Sequence, residues 1–441
     1  MQYLVYGIIV ASLGFEYLAS QGLAPSRAPY AQELLAMAAA AVVVALGVQQ
    51  RFRNVAAIYW LVFGGIALTL LCGIFVNGVG TGPTFAGLRT YARAIPFFFL
   101  PAVALFSEEQ VKRQLLLVLG FSVVQLPIAI EQRMTTFARG YFSGDRTVGT
   151  IMNSGHLSIF LLCVASVLFA FYLRRRISLG KLLVLLPVVL APTMLNETKA
   201  TILLVPIALF SIVVLGAERH RLRKTITVVA SAAVFLAVFI PVYDYFMKPR
   251  WGYGLIEFMT MEGRVEGYLD KDAQVGSYRP PGRLDGLTVP LQVQSRDPSL
   301  VAFGLGMGNV SDSALGPQFV GEHYQRYGHF VMSLASLLMW ETGVLGTSLV
   351  VLLIFLIFRD AFLVSRGSGL YSDFALGGMG IVAIMGISLP YKSMIDSGAL
   401  SFMFWYFAGL IVAERSRAAA RIAAEAPRAS VMPGRIAGAM S

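Results

Sequence analysis

Apolar runs of about 20 residues recur from one end of this chain to the other, separated by short connections that hold charge, glycine or proline. A helix needs roughly 20 apolar residues to cross the ~30 Å hydrocarbon core of a bilayer. Lipid admits only helices and closed barrels, because every backbone polar group must find its partner inside the protein. A barrel would alternate apolar and polar residues in segments of roughly 10, a pattern this sequence lacks. Only 13% of its residues are charged, about half the share usual in soluble domains. The chain therefore reads as an all-α polytopic membrane protein.

Twelve spans fit, at 3–20, 31–49, 55–77, 91–107, 113–131, 152–173, 181–196, 199–216, 225–246, 344–363, 374–391 and 397–414. They divide the chain into nine helices over 1–246, one large loop with short surface helices over 247–343, three helices over 344–414 and a tail over 415–441. The first run has no basic segment ahead of it and Glu16 interrupts its end, so it reads as a retained span. Orientation follows from lysine and arginine, which short cytoplasmic connections retain. With both termini inside, nineteen of the 35 basic residues fall on the cytoplasmic side, in clusters such as Arg174, Arg175, Arg176 and Lys181 or Arg219, Arg221, Arg223 and Lys224. That bias accounts for the high isoelectric point through topology and contact with anionic lipid, without nucleic acid. The run from His329 to Trp340 is apolar enough to suggest another crossing. A crossing there would move Arg359, Arg366 and the arginine-rich tail to the outer face, so it reads as a shorter helix at the outer surface. His329, Ser333 and Ser336 then fall at i, i+4 and i+7, one polar stripe facing water or substrate.

Chemistry with a polar substrate has few places to occur in such a chain. The connection between spans five and six places Arg133, Arg139 and Arg146 outside against only Asp145. Outer arginines oppose the insertion bias, and a planar guanidinium matches phosphate oxygens through paired hydrogen bonds. Contact with lipid headgroups is the plainer reading, and the more natural one for Arg133 and Arg139. The corner LNETKAT sets Glu197 and Lys199 at the outer edge, either as a local ion pair or with Lys199 joining the same anion site. In the large loop, Arg283 follows Pro280 and Pro281 in a rigid stretch, while Arg264, Arg279 and Arg296 read as solvated surface. His329 heads the polar stripe and is the side chain best suited to accept a proton near neutral pH. The remaining histidines, His156, His220 and His323, read as capping, packing or solvated groups. No histidine lies at metal-ligand spacing, and the one DxD pair, Asp270 and Asp272, has no partner ligand nearby, so no metal or other cofactor is expected. The segment Gly304 to Asn309, GLGMGN, follows no strand and is not a nucleotide-binding turn. Cys72 and Cys163 sit in apolar runs as packing residues.

Three segments together resemble the O-antigen ligase and O-antigen polymerase family of bacterial envelope proteins. They are Arg146-Thr-Val-Gly-Thr-Ile-Met-Asn153, Phe303-Gly-Leu-Gly-Met-Gly-Asn309, and Gly328-His329 followed by Glu341-Thr-Gly-Val-Leu-Gly346. The order of the three, and a large outer loop between spans nine and ten, extend the resemblance over nearly the whole chain. The chain departs from the family at Lys199, where members often carry arginine, and at Ser154, where proline is common, which weakens the ligase assignment. The resemblance implies a GT-C-like, metal-independent glycosyltransferase of the bacterial inner membrane with its active site on the periplasmic face. Its donor would be an undecaprenyl-diphosphate-linked glycan and its acceptor another glycan or lipid-linked unit, with a chain-length regulator as a further partner. Carried over, Arg146 and Arg283 would stabilise the diphosphate and His329 would activate the acceptor hydroxyl, with Arg139, Lys199, Asn153, Arg326 and Asn309 lining the substrate. A polymerase of lipid-linked repeat units is the leading expectation. A ligase to lipid A core is the close rival, and a flippase, which would show more ionisable residues mid-span, is the third.

Overall fold

The computed structural model describes residues 1–50, 52, 54–140, 144–215, 221–261, 284–313, 315–395 and 397–429. Arg283, Arg264 and Arg279, together with Asp270 and Asp272, lie outside the described residues. All regular structure among those described is helical. In chain order the helices are α1 (Gln2–Ser20), α2 (Ala31–Gln50), α3 (Ala57–Asn77), α4 (Thr81–Ala92), α5 (Ile95–Ala104), α6 (Glu108–Ala138), α7 (Ser154–Leu173), α8 (Leu179–Leu195) and α9 (Thr201–Leu215). They continue as α10 (Arg221–Trp251), α11 (Leu255–Thr260), α12 (Asp285–Gln294), α13 (Pro298–Phe303), α14 (Tyr324–Tyr327), α15 (Leu334–Val364), α16 (Leu370–Ser388) and α17 (Gly398–Ala429).

Seven of these, α1, α2, α3, α6, α7, α15 and α16, are long and apolar enough to cross a bilayer. Apolar residues on the outer faces of the helices, among them Val44, Leu68, Phe75, Val229 and Phe355, are exposed, as lipid contact requires. The range 91–107, expected as one span, is instead the end of α4 and the ten-residue α5. Ten residues rise only ~15 Å. Leu105 then adopts φ 48° and turns the chain before Ser107 caps α6.

The centre of the bundle is α7 against α16, both apolar around most of their circumference and buried along most of their length. They approach closely because Gly377 faces α7: a β-carbon there would come within 2.8 Å of Val167 Cα. Around this pair, Phe97, Phe98 and Phe99 of α5 pack beneath α17, with Phe97 edge-on to Phe402 and Phe98 edge-on to Trp405. Buried polar side chains fasten specific helix pairs: Tyr59 of α3 donates to Asp360 of α15 (2.8 Å), and Tyr406 of α17 donates to Gln114 of α6 (2.6 Å).

Charged side chains gather at both ends of the bundle. At one end, Arg174 and Arg176 meet Asp373 at 3.6 Å and 2.6 Å, and Glu108 caps α16 by accepting from Leu370 N (3.0 Å). The Asp373 carboxylate accepts a hydrogen bond from Arg176 and so holds its guanidinium above the usual arginine range. At the other end lie the segments singled out in the sequence.

Candidate active site

The Arg146 segment is shaped by two glutamines of α6. Gln132 accepts from Val148 N (2.9 Å) and Gly149 N (2.8 Å) through Oε1 and donates Nε2 to Gly149 O (3.1 Å). Gln125 accepts from Thr150 N (2.8 Å) and donates to Thr150 Oγ1 (2.7 Å). Seven residues is two helical turns, so both glutamines face the same side of α6 and bind the loop along its length. Asn153 then caps α7, accepting from His156 N (3.1 Å). This strapping leaves Arg146 exposed at the end of the turn Gly144–Arg146. Arg139, the C-cap of α6, is likewise exposed.

The corner after α8 docks on the same place. Asn196 donates to Ser154 O (2.9 Å) and to Ser158 Oγ (2.9 Å), while Gly144 abuts Asn196 and Glu197. The Glu197 carboxylate pairs with Arg133, whose ring partner is Phe137 at 4.9 Å; the two charged side chains are 7% and 4% exposed. Arg133 is thus an interior residue rather than a headgroup contact. Lys199, expected as a partner of Glu197 or as a site cation, lays its Nζ 3.8 Å from the centre of the Phe258 ring on α11.

His329 lies exposed in a short turn, Gly328–Phe330, its ring 4.2 Å from that of Phe330. The stripe expected over His329, Ser333 and Ser336 does not form, because α15 begins only at Leu334. Ser333 is its N-cap and Ser336 closes the capping box, and both side chains are buried. Serine accepts the free N–H groups of a first turn better than it serves a helix interior, which is why the helix starts there. The segment from Ser336 to Trp340 is buried rather than facing water, and the helix breaks at Gly343, where the sequence placed the start of the tenth span. Arg326 is exposed at the end of α14, its guanidinium 5.1 Å from the Tyr327 ring, which stacks on Trp340 at 4.6 Å.

Two of the three family-like segments prove to be the two sides of one packing seam. Gly304 and Gly343 sit back to back with positive φ; a β-carbon on either would come within 2.7 Å of the other's backbone nitrogen. Leu305 N donates to Trp340 O (2.7 Å) and Asn77 donates to Gly304 O (3.0 Å). The fully buried Glu341 accepts from Ser311 Oγ (2.6 Å), Tyr91 (3.1 Å) and Val310 N (3.3 Å). Asn309, expected against substrate, is 2% exposed; it donates to Leu305 O and accepts from Glu322 N, closing the loop on itself.

The connection after α16 joins these parts. His156 of α7 donates its Nε2–H to Ser393 O (2.5 Å), while Leu334 N and Ala335 N of α15 donate to Lys392 O (3.3 Å) and Leu389 O (2.9 Å). The Lys392 stem lies over the first turn of α7, 3.8 Å from where a β-carbon of Gly155 would sit. The helix carrying Asn153 and the helix that follows His329 therefore both rest on residues 389–393. Arg93 reaches the same stretch, donating to Ile395 O (2.9 Å). Sequence reasoning missed Gln125, Gln132, Asn196 and Lys392, and quoted Glu341 only as part of a motif. The only signal for the glutamines was two amides at i and i+7 in an apolar run. Nearby, the Asp312 carboxylate raises the Tyr324 hydroxyl above the usual phenol range. Among the described residues no three His, Cys, Asp or Glu side chains are grouped to hold a metal ion. The chain matches no protein-family model and no curated protein sequence.

Proposed function

We propose that the protein is an inner-membrane polysaccharide polymerase that joins undecaprenyl-diphosphate-linked repeat units on the periplasmic face. The observation that carries this reading is the meeting of the Arg146 side of the bundle and the His329 side on residues 389–393. That meeting lies at the end of the bundle opposite the Arg174 and Arg176 cluster. By the retention of basic residues inside, it is the periplasmic end. Both side chains are exposed there, beside helices whose outer surfaces are apolar enough for a polyprenyl tail to lie along them.

In the reaction, the acceptor hydroxyl oxygen attacks the anomeric carbon of the donor and the bond from that carbon to the diphosphate oxygen breaks. The hydroxyl proton passes to His329 and the electron pair leaves with undecaprenyl diphosphate. In-line attack inverts the anomeric centre. Arg146, with Arg283 contributed from outside the described residues, would stabilise charge that grows on the departing diphosphate, the stage at which fixed cations lower a barrier. Lys199 and Arg139 stand on neighbouring segments and Arg326 next to His329, positions suited to the anionic donor and to the sugars.

The test is the lipid-linked material in cells lacking the protein and in cells carrying Arg146→Ala or His329→Ala. Accumulated single repeat units with loss of the polymer ladder are expected. Accumulated full-length chains would instead assign a ligase, and substrate held on the cytoplasmic leaflet a flippase.

A further inference from the structure

A cavity of about 560 Å³ lies inside the bundle, between α6 on one side and α7, α16 and α17 on the other. That volume falls within the range of small-molecule sites, ~300–1,000 Å³. Away from one end its walls are apolar, formed by Leu119, Phe160, Cys163, Val167, Phe374 and Met403 among others. Its charged lining residues are confined to one end: Glu108 and Glu109 at the start of α6, Lys112 one turn on, and Arg176 before α8. This end lies at the side of the bundle opposite the candidate active site, since Arg146 follows the far end of α6. Leu370 and Met385 both line the cavity, and fifteen residues of α16 rise ~22 Å. One leaflet of hydrocarbon is ~15 Å deep, half of the ~30 Å core. The cavity is deep enough for a whole acyl chain.

We infer that this cavity holds one chain of a zwitterionic glycerophospholipid, its ammonium-bearing phosphate headgroup seated among Glu109, Lys112 and Arg176. Charge complementarity selects the headgroup. A free fatty acid or an anionic lipid would meet Glu108 and Glu109 beside the cations, and an uncharged lipid would bring no charge to the exposed Lys112 and Glu109. Lys112 is only loosely held, 3.8 Å from Glu109, and is 61% exposed, so its ammonium is available to a phosphate. Arg176 engages Asp373 through Nε and remains 46% exposed. Glu108 is committed to Leu370 N; Glu109, though it accepts from Arg113 Nε at 3.2 Å, is 58% exposed, so it is the carboxylate that an ammonium can reach. Along this length α6 packs on α8 and touches α7 and α16 only sparsely, so a lipid chain completes the contact that the side chains leave open.

The experiment is native mass spectrometry of the full chain released from nanodiscs of equimolar phosphatidylethanolamine and phosphatidylglycerol. One phosphatidylethanolamine is expected to stay bound, in about tenfold preference over phosphatidylglycerol, a difference of ~1.4 kcal/mol. Lys112→Glu, which changes an exposed side chain, should weaken retention about tenfold, and Cys163→Trp, which fills the cavity, should abolish it. Equal retention of the two lipids, retention of neither, preference for a polyprenyl phosphate added to the same discs, or unchanged retention in Lys112→Glu would overturn the inference. None of these outcomes depends on glycosyl transfer.

Discussion

Replacing Glu197 by glutamine probes the part of the fold that carries the Arg146 loop. The carboxylate pairs with Arg133 where both side chains are almost wholly buried, and Gly144 rests against Asn196 and Glu197 two residues before Arg146. Glutamine keeps the shape but leaves the Arg133 guanidinium buried without its counter-charge. Breaking a buried pair in this way costs about 3–5 kcal/mol. With an unfolding entropy of about 2.1 cal/mol/K per residue, a chain of 441 residues has a total near ~0.9 kcal/mol/K. The melting temperature of Glu197→Gln should therefore fall by ~3–5 °C. Arg133→Met should cost less, because an orphaned carboxylate can take up a proton whereas guanidinium stays charged. The double variant Arg133→Met/Glu197→Gln, which removes both charges, should lie closer to wild type than Glu197→Gln alone. The measurement is thermal unfolding of the four proteins in one detergent, read as a double-mutant cycle. A Glu197→Gln protein melting within about 1 °C of wild type, or a double variant whose loss equals the sum of the singles, would refute the reasoning.

His329→Ala should lower turnover by about 10²- to 10⁴-fold while donor binding is retained, as the loss of a general base requires; single-turnover assays with defined lipid-linked donor check it. Arg146→Ala should lower turnover by about 10²- to 10³-fold without shifting the melting temperature, because the side chain is exposed. Gln132→Ala should do both, since three hydrogen bonds to residues 148 and 149 are lost, at about 1 kcal/mol each. The Asp297 carboxyl, held below the usual aspartate range mainly by the Ser299 hydroxyl and amide, stabilises the start of α13. Its lowered folded value means that this contribution is complete above the ordinary aspartate range and is lost as pH falls through the folded value. Asp297→Asn should remove that acid dependence from hydrogen exchange at Ser299 to Val301.

The helices were legible because lipid and a buried core make the same demand, a long apolar run. Lipid and core nevertheless differ in what else they accept. The sequence of α7 reads no differently from that of α3, yet α7 is buried on all sides and α3 turns Leu68 and Phe75 outward. Only tertiary packing makes that distinction. The expected span 91–107 runs across a break between α4 and α5, beside which Tyr91 donates to Glu341 and Arg93 to Ile395 O. The His329 stripe failed for a local reason: a serine at a helix start is worth more as a cap than as a polar face. The glycine-rich segment was visible as unusual. Its role as one side of a seam was not, because its partner, Gly343, lies 39 residues further on.

The seam also bears on which groups are left to meet an anionic donor. Helix N-termini attract phosphate through free N–H groups and the macrodipole, and the N-termini of α7 and α15 both lie at the junction with residues 389–393. In α15 the first three N–H groups are already engaged, Leu334 and Ala335 by Lys392 O and Leu389 O, and Ser336 by the Ser333 hydroxyl. In α7 the N–H of His156 is taken by Asn153, and Leu157 N by Asn153 O. The first amides of α15 are thus occupied in holding that helix to residues 389–393 and in its own cap, and one amide of α7 is taken by the Asn153 cap. Under the proposed function, side chains stand ready to meet charge on a departing diphosphate: Arg146 is exposed and the Lys392 stem lies over the first turn of α7. On this argument Arg146→Lys, which keeps charge but not the paired hydrogen-bond geometry, should recover only part of the activity that Arg146→Ala loses. Complete recovery would mean that bulk positive charge is sufficient, and that the strapping of the loop by Gln125 and Gln132 serves the fold alone.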